Sequence, residues 1–538
     1  MAYVIAYDIG TTGIKTCLYE LQETTRLVAS AYGGYGLYIL DNGGAEQDEE
    51  EWWKAMCSTT RTLFTKTRVR PEEIQGISFC SQMQGIVLVD RYGKAVRRPM
   101  SYMDQRATEE FKMGQGHGIK VAGANVFKLL RSLRLTNAAS TSVKDPVWKY
   151  LWVKEHEPEL FARVHKWLDV KEYLIARCSG KFVMTEDSAY ATFLYQTRGG
   201  QGWNKKLCRM YGVDPTHLPR LIKCTDQAGT LTDQAAKELG LCAGTAVFGG
   251  GGDATIIGIG AGCVKTGDTH IYSGTSGWVS TIIDKQVVDI NTMIAGIVGA
   301  QEGKFNYFAE METAGKCFEW VKEHLALDEI GIYLEKKDIS ERTENNVKIY
   351  LSLYDYLTET VAKAEPGSRG VIFTPWLHGN RCPFEDHNAT GIFFNIKIDT
   401  GKTEMLRAVL EGICYHLKWM LECEDKKVHT SDTIRFVGGG ALAPVTCQML
   451  ADITERKIET IDDPQDVGAV GAAMLAGVGL GILSGLDDVK TVIPVKDTYL
   501  PNDDNQEVYR RNYQVYKMLY QANKKNFRLL NERGYKNG

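Results

Sequence analysis

Two short apolar blocks open the chain: Val4, Ile5 and Tyr7, then Ile14, Cys17, Leu18 and Tyr19, parted by Gly-Thr-Thr-Gly. This pattern predicts a hairpin of two antiparallel strands. Leu27-Val28-Ala29 then reads as a third strand. Across residues 49–64 the apolar side chains Trp52, Trp53, Met56 and Leu63 recur at helical spacing, which predicts a helix. Residues 74–79 and 85–89 read as further strands, 148–178 as mostly helical, and 197–204 (TRGGQGWN) as a loop-like break.

At Thr245 the grammar restarts. A strand over 245–248 is broken by four glycines, Gly249 to Gly252; Asp253 follows, and 254–261 resumes with small and branched apolar residues. A second hairpin follows, with His270-Ile271-Tyr272 running into Ser273-Gly274-Thr275-Ser276-Gly277 and out through Trp278-Val279-Ser280. Further on, Phe436-Val437 ends a strand, Gly438-Gly439-Gly440 follows, and 441–456 is periodic through Leu442, Val445, Met449, Leu450 and Ile453, with Pro444 in its first turn. Strands alternating with helices predict an α/β fold with mixed sheets. The repeated hairpin predicts two related halves, 1–250 and 251–538, with a cleft between them.

Composition narrows the partners. Lys+Arg at 63 against Asp+Glu at 67 leaves a net charge of −4, with no field to favour nucleic acid or an anionic membrane. The apolar run 467–483 is short and rich in Ala and Gly, which suits a close-packed interior helix and not a bilayer span. The N-terminus lacks a basic region and carries Asp8 inside its apolar stretch, so it reads as a strand and not as a secretion signal. The 13 cysteines form no Cys-x-x-Cys pair, which points to reduced thiols in a cytoplasmic protein.

The chemistry gathers at the glycine-rich strand ends. A tight turn would explain Gly10 and Gly13 but leaves Asp8 without a role, and burying even a merely polar group unpaired costs on the order of 2–7 kcal/mol. Small residues with open backbone N–H groups and the hydroxyls of Thr11 and Thr12 suit phosphate oxygens, and an adjacent carboxylate suits Mg²⁺. A second such loop at Gly274, Thr275 and Ser276 would supply donors from the other half, as a nucleotide clamp requires. Asp253 precedes a helical run, so it reads either as a helix cap or as the base that takes the proton of an attacking hydroxyl. Glycines 438–440 let a base or phosphate approach the backbone, without the spacing of a Walker loop or a dinucleotide fingerprint.

In order along the chain, DIGTTGIK, GGAEQDEEEWW, FCSQMQG, SYMDQRA, PVWKYLWVKEHEPELF, GGGDATIIGIGAG, SGTSGW, FTPWLHGNRCPFED and GGGALAPVTCQMLADI resemble the motifs of the FGGY family of carbohydrate kinases, most closely its xylulokinase-like branch. The resemblance implies two actin-like (ribonuclease H-like) ATPase domains around a catalytic cleft, with ATP and Mg²⁺ as cofactors. It implies Asp8 at the metal, Gly10, Thr11, Thr12, Gly274, Thr275 and Ser276 at the phosphates, and Gly438, Gly439, Gly440 and Ala441 by the adenosine, with Gln448 a further candidate there. Asp253 becomes the general base, and Met83, Gln84 and Asp104 face the sugar beside it. Lys15 reads either as a phosphate contact or as an exposed strand lysine.

Three positions depart from the family pattern: Gln84 where His is usual, Tyr102 where Trp or Asn is common, and Asn395 in place of a glycine. The implied reaction is ATP-dependent phosphorylation of a small sugar, with a ketopentose such as xylulose favoured and another polyol, a tetrose or an aldonate as alternatives. An actin-like ATPase switch without sugar kinase activity accounts for the phosphate loops equally well, but not for the segments around 82–85 and 102–106. A homodimer is compatible with all of these readings.

Overall fold

The computed structural model describes residues 2–116, 119–121, 124–325 and 353–532. Its first sheet has seven strands. Ala2–Ile9 runs antiparallel to Gly13–Leu21 and parallel to Ile74–Ser81. Thr25–Gly34 extends one side, while Ala246–Phe248 and Gln227–Thr230 extend the other. The second sheet, of eight strands, repeats this arrangement. Thr269–Ser273 is antiparallel to Gly277–Ile283 and parallel to Thr433–Val437. Each sheet thus carries one hairpin whose turn lies at the end of a parallel strand, the duplication that the apolar pattern predicts.

Three local readings are revised. Residues 87–89 form a strand outside the main sheet, pairing with Lys166–Leu168 inside the stretch that reads as helical. That stretch is three helices, Pro146–His156, Pro158–Phe161 and Val170–Ser179, parted by this strand. The break at 197–204 contains the short strand Gly202–Trp203, which pairs back with Tyr195–Gln196. The glycines after Phe248 do not end the first sheet: Gly251–Gly252 rejoins Ile74–Ser81, pairing with Cys80 and Ser81. The kink between the two pairings falls at Gly250, whose φ of +63° and whose approach to the Phe79 carbonyl, 2.0 Å from where a Cβ would stand, both require glycine.

Two helices stand between the sheets and join them. Asp253–Gly260 hangs from the first sheet, while Val467–Gly479 follows the second and is buried from Val467 through Gly477. Their backbones meet at glycines: a Cβ on Gly260 would stand 2.0 Å from the Val467 carbonyl oxygen, and one on Gly471 would stand 2.4 Å from that of Ile256. The Ala/Gly-rich composition of 467–483 therefore serves a close helix crossing. No described helix is long and apolar enough to cross a membrane. Beside this crossing Lys15 donates to the Gln465 carbonyl at 2.9 Å and pairs with Asp466, tying the first hairpin to the entry of the second helix.

Asn395 also has its reason. Its φ is +65°, the left-handed conformation for which glycine is the default and Asn the usual alternative. Its side-chain amide donates to the Gly370 carbonyl at 3.0 Å. All 13 cysteines are unpaired, as the sequence indicates.

Gly260→Ala should destabilise the protein by about 1–3 kcal/mol, because a methyl group cannot enter the helix crossing without moving a backbone. Gly485→Ala, with nothing within 4 Å of its Cβ position, should be close to neutral. Urea denaturation of both variants measures the contrast.

Candidate active site

The first sheet brings the two expected carboxylates together. Asp8 pairs with Cys80 on one side of the central strand, and Gly251, two residues before Asp253, pairs with Cys80 on the other. Two inter-strand spacings, roughly 10 Å, separate the backbones of Asp8 and Gly251. Asp8 therefore lies in the first sheet, and Asp253 begins the helix that follows a strand of that same sheet. Burial raises the pKa of Asp8, with the Lys15 ammonium opposing it, and Asp253 is pushed up to about 7 by burial first and by the neighbouring charges of Asp8 and Glu310. Asp253 is the first residue of its helix and accepts a hydrogen bond from the Ala254 N–H at 2.8 Å, leaving the carboxylate half-buried at the strand end.

Glycines again set the approach. A Cβ on Gly468 would stand 2.7 Å from Asp8 Oδ2, so the start of the Val467–Gly479 helix closes directly over Asp8. Around Asp8 the first turn is braced from outside: Tyr35 donates to the Gly10 carbonyl at 2.6 Å and to that of Gly13 at 2.9 Å, and Gln47 donates to the Thr11 carbonyl at 2.6 Å. These contacts hold the loop by its carbonyls and leave Thr12 exposed.

The second turn, Gly274–Ser276, faces the first. Tyr272, beside it, feels the charges of both Asp8 and Asp253. Its carbonyls are held in the same way, by Ala314 N–H at 3.0 Å and Lys316 N–H at 3.2 Å to Thr275, and by Gly315 N–H at 2.8 Å to Gly274. The third glycine run packs against the same strand end: a Cβ on Gly438 would lie 2.6 Å from the Ser273 carbonyl, and one on Gly440 would lie 2.8 Å from the Ser273 side chain. Gly439 faces open space, and Ala441 is buried beneath it. Gln448 turns away to Asp452 and the Leu500 carbonyl, at 2.7 and 2.8 Å.

On the acceptor side Met83 lies over Gly252, with its sulfur 2.2 Å from where a Cβ would stand. Gln84 adopts a left-handed φ of +64°, a strained conformation for glutamine of the kind that clusters at binding sites. The strain is held by Lys149, fully buried, which donates to the Gln84 carbonyl at 2.9 Å and to that of Ser101 at 2.7 Å. Burial pushes the pKa of Lys149 down to about 8 against the attraction of Asp104, Asp169 and Asp145. Tyr102 spans the two sides, its hydroxyl 3.3 Å from that of Thr11. Asp104 has no exposed surface: it pairs with Arg106 at 2.7 Å and accepts from the Ala45 N–H at 2.8 Å, so it braces the loop from beneath and touches nothing in the cleft. Lys15 is half-buried and pairs with Asp466 and the Gln465 carbonyl, which uses two of its three N–H donors.

Sequence reasoning missed the polar layer behind Asp253. Asp187 accepts from the Gly252 N–H at 2.8 Å and from the Thr255 hydroxyl at 2.7 Å. Burial pushes its pKa up, but the Lys171 ammonium and these donors more than offset that, and it stays below the usual carboxylate range. Lys171 in turn pairs with Glu172, both fully buried. No local motif marks these residues: Lys171 and Glu172 open one helix and Asp187 lies beside Glu186 at the start of the next, where charged residues are ordinary.

The models for the N-terminal and C-terminal domains of the FGGY family of carbohydrate kinases match residues 3–260 and 270–480. The chain belongs to this family. It is a sugar kinase with the two-domain FGGY fold, a family that uses ATP as phosphate donor. A protein from Bacillus subtilis named xylulose kinase is 28% identical to this FGGY chain over 524 residues, covering 97% of each. One from the same organism named gluconokinase is 27% identical over 516 residues, covering 95% of this chain and 94% of its own. In fold, the chain is similar to the ligand-bound xylulose kinase of Lactobacillus acidophilus, with a TM-score of 0.81 at 24% identity over 97% of this chain and 98% of the other.

Lys149→Met should raise the KM for the acceptor sugar about tenfold by releasing Gln84 and Ser101, with the KM for ATP changed less than twofold. Steady-state kinetics with each substrate varied in turn measures this split.

Proposed function

We propose that this FGGY kinase transfers the γ-phosphoryl group of ATP, in line, to a hydroxyl of a small sugar, a ketopentose such as xylulose, with Asp253 as general base. The observation that carries the reading is the place of Asp253: a half-buried carboxylate, its pKa pushed up to about 7 by burial, just past the strand that shares Cys80 with Asp8 and near Tyr272 at the second turn. Efficient proton transfer favours a base whose pKa lies near the working pH. The relative named xylulose kinase supports the ketopentose, and the one named gluconokinase keeps an aldonate as the second reading.

The residues present suit ATP and Mg²⁺. Among the described residues no cluster of three or more His, Cys, Asp or Glu could cage a metal. A single half-buried Asp8 beside a phosphate loop matches Mg²⁺, which is usually bound through one or two carboxylates plus phosphates. Asp8 would hold the metal, Gly10 to Thr12 and Gly274 to Ser276 the phosphates, and Gly438 to Ala441 the adenosine. MgATP supplies the phosphoryl group and neutralises the charge that develops on it. The chain's own work is to place the acceptor with Met83 and Gln84, hold Asp253 through Asp187, and take the hydroxyl proton onto the Asp253 carboxylate. Asp104 then acts as a brace for Arg106 and the loop around Tyr102. We place the domain boundary in the segment between Gly260 and Thr269, where the first helix of the crossing hands over to the second sheet.

Asp253→Asn should lower kcat by about 10²–10⁴-fold and leave ATP affinity near normal; retained turnover in this variant refutes the base. In the wild type, kcat/KM for the sugar should fall as the pH drops below about 7, because Asp253 becomes protonated. The same shift has a stability consequence of opposite sense. A carboxyl with a raised pKa favours the folded state in its protonated form, so its contribution is present at low pH and lost between pH 3.8 and about 7. Asp253→Asn should therefore melt higher than the wild type at pH 8, with the gap closing towards pH 4, as measured by calorimetry without nucleotide.

A further inference from the structure

The cleft beside Asp253 carries a set of charges that the transfer reaction does not use. Glu310 lies on the strand Phe305–Met311, directly opposite Trp278 and next to the second phosphate-type turn. Its charge acts on both Asp253 and Tyr102, and Glu312 also acts on Tyr102. Arg381, in the loop after Trp376, donates to Glu310 Oε2 at 2.6 Å, and Glu310, more than any other group, holds its guanidinium charged. From the first lobe, Lys144 faces Glu310 and Asp145 faces Arg381.

The balance of these groups bears on the acceptor. A sugar acid needs a cation with free donors, best a guanidinium that can engage a carboxylate through two parallel bonds. The cations beneath the acceptor segments are already committed: Lys149 to two carbonyls, Arg106 to Asp104 and Glu46, and Arg97 to Glu46 and Glu157. Arg381 is 54% exposed and borders the cleft, and Glu310 pairs with its Nη1 and offsets its charge. Asp253, Glu310 and Glu312 then face an incoming carboxylate, and of the cations named here Lys144 alone has neither an ion pair nor an ammonium hydrogen bond among the described residues. Specificity built this way works by repulsion as much as by attraction.

We propose that Glu310, by occupying Arg381 and adding a negative charge, makes the acceptor site accept neutral polyhydroxylated sugars and refuse aldonates. This rests on the sugar kinase reading and chooses between its two substrate classes. The test is kcat/KM for xylulose, ribulose and gluconate in the wild type and in Glu310→Gln. The wild type should use the better ketopentose about 100-fold or more over gluconate, and Glu310→Gln should narrow that ratio about tenfold. Adding Arg381→Gln to Glu310→Gln should abolish the gain. Gluconate used as well as the ketopentoses by the wild type, or an unchanged ratio in Glu310→Gln, overturns the proposal. Inhibition of the wild type provides a check independent of any variant: sorbitol should compete with the ketopentose at least about tenfold better than gluconate, which differs from it by the carboxylate. Equal or better inhibition by gluconate would also overturn it. If no sugar at all stimulates release of ADP, the sugar kinase reading itself fails and this inference falls with it, an outcome distinct from active turnover of aldonates.

Discussion

Contact between two helices at glycine positions fixes everything else in this protein. The crossing of Asp253–Gly260 and Val467–Gly479 brings one backbone so close to the other that no side chain fits at Gly260 or Gly471. Because the first helix begins at Asp253 and the second begins over Asp8, the same contact that joins the lobes also sets the walls of the cleft between them. The two phosphate-type turns face each other because the sheets that carry them are held on either side of this pair. The Lys15–Asp466 ion pair adds a polar tie at the same seam.

Burial then gives the two carboxylates their chemical character. Asp253 and Asp8 both have pKa values raised chiefly by desolvation, and the charge of Asp8 raises that of Asp253 further. A site of this kind holds a carboxylate between its two protonation states and leaves an adjacent one waiting for a cation. The polar layer of Asp187, Thr255, Lys171 and Glu172 allows it, since it satisfies the donors behind Asp253 without neutralising Asp253 itself. On the acceptor side a buried lysine plays the matching part, holding Gln84 in a backbone conformation that glutamine seldom adopts.

Much of this was legible along the chain. Hairpin, helix and glycine-run signals are local, and the 2–9, 13–21, 49–66, 74–81, 269–273 and 277–283 elements fall where apolar periodicity places them. The strand at 87–89 was legible, but its partner at 166–168 was not, because that pairing forms across a gap of more than seventy residues. Asp104 misled for a related reason. Its neighbours in sequence are those of a substrate-facing loop, but Arg106 two residues on donates to both of its oxygens and the Ala45 N–H far upstream to Oδ2.

By itself the sequence determined the fold class, the two hairpins, the carboxylates at their glycine-rich ends and the kinase family, since each of these is written in residue order and spacing. Only the tertiary structure decided that Asp253 follows a strand of the sheet that carries Asp8, that Lys15 spans the lobes, that Asp104 is a brace and that Arg381 is held by Glu310. Those facts depend on which groups meet after burial, and a hydrogen bond or charge pair between distant residues leaves no periodic signal in the chain.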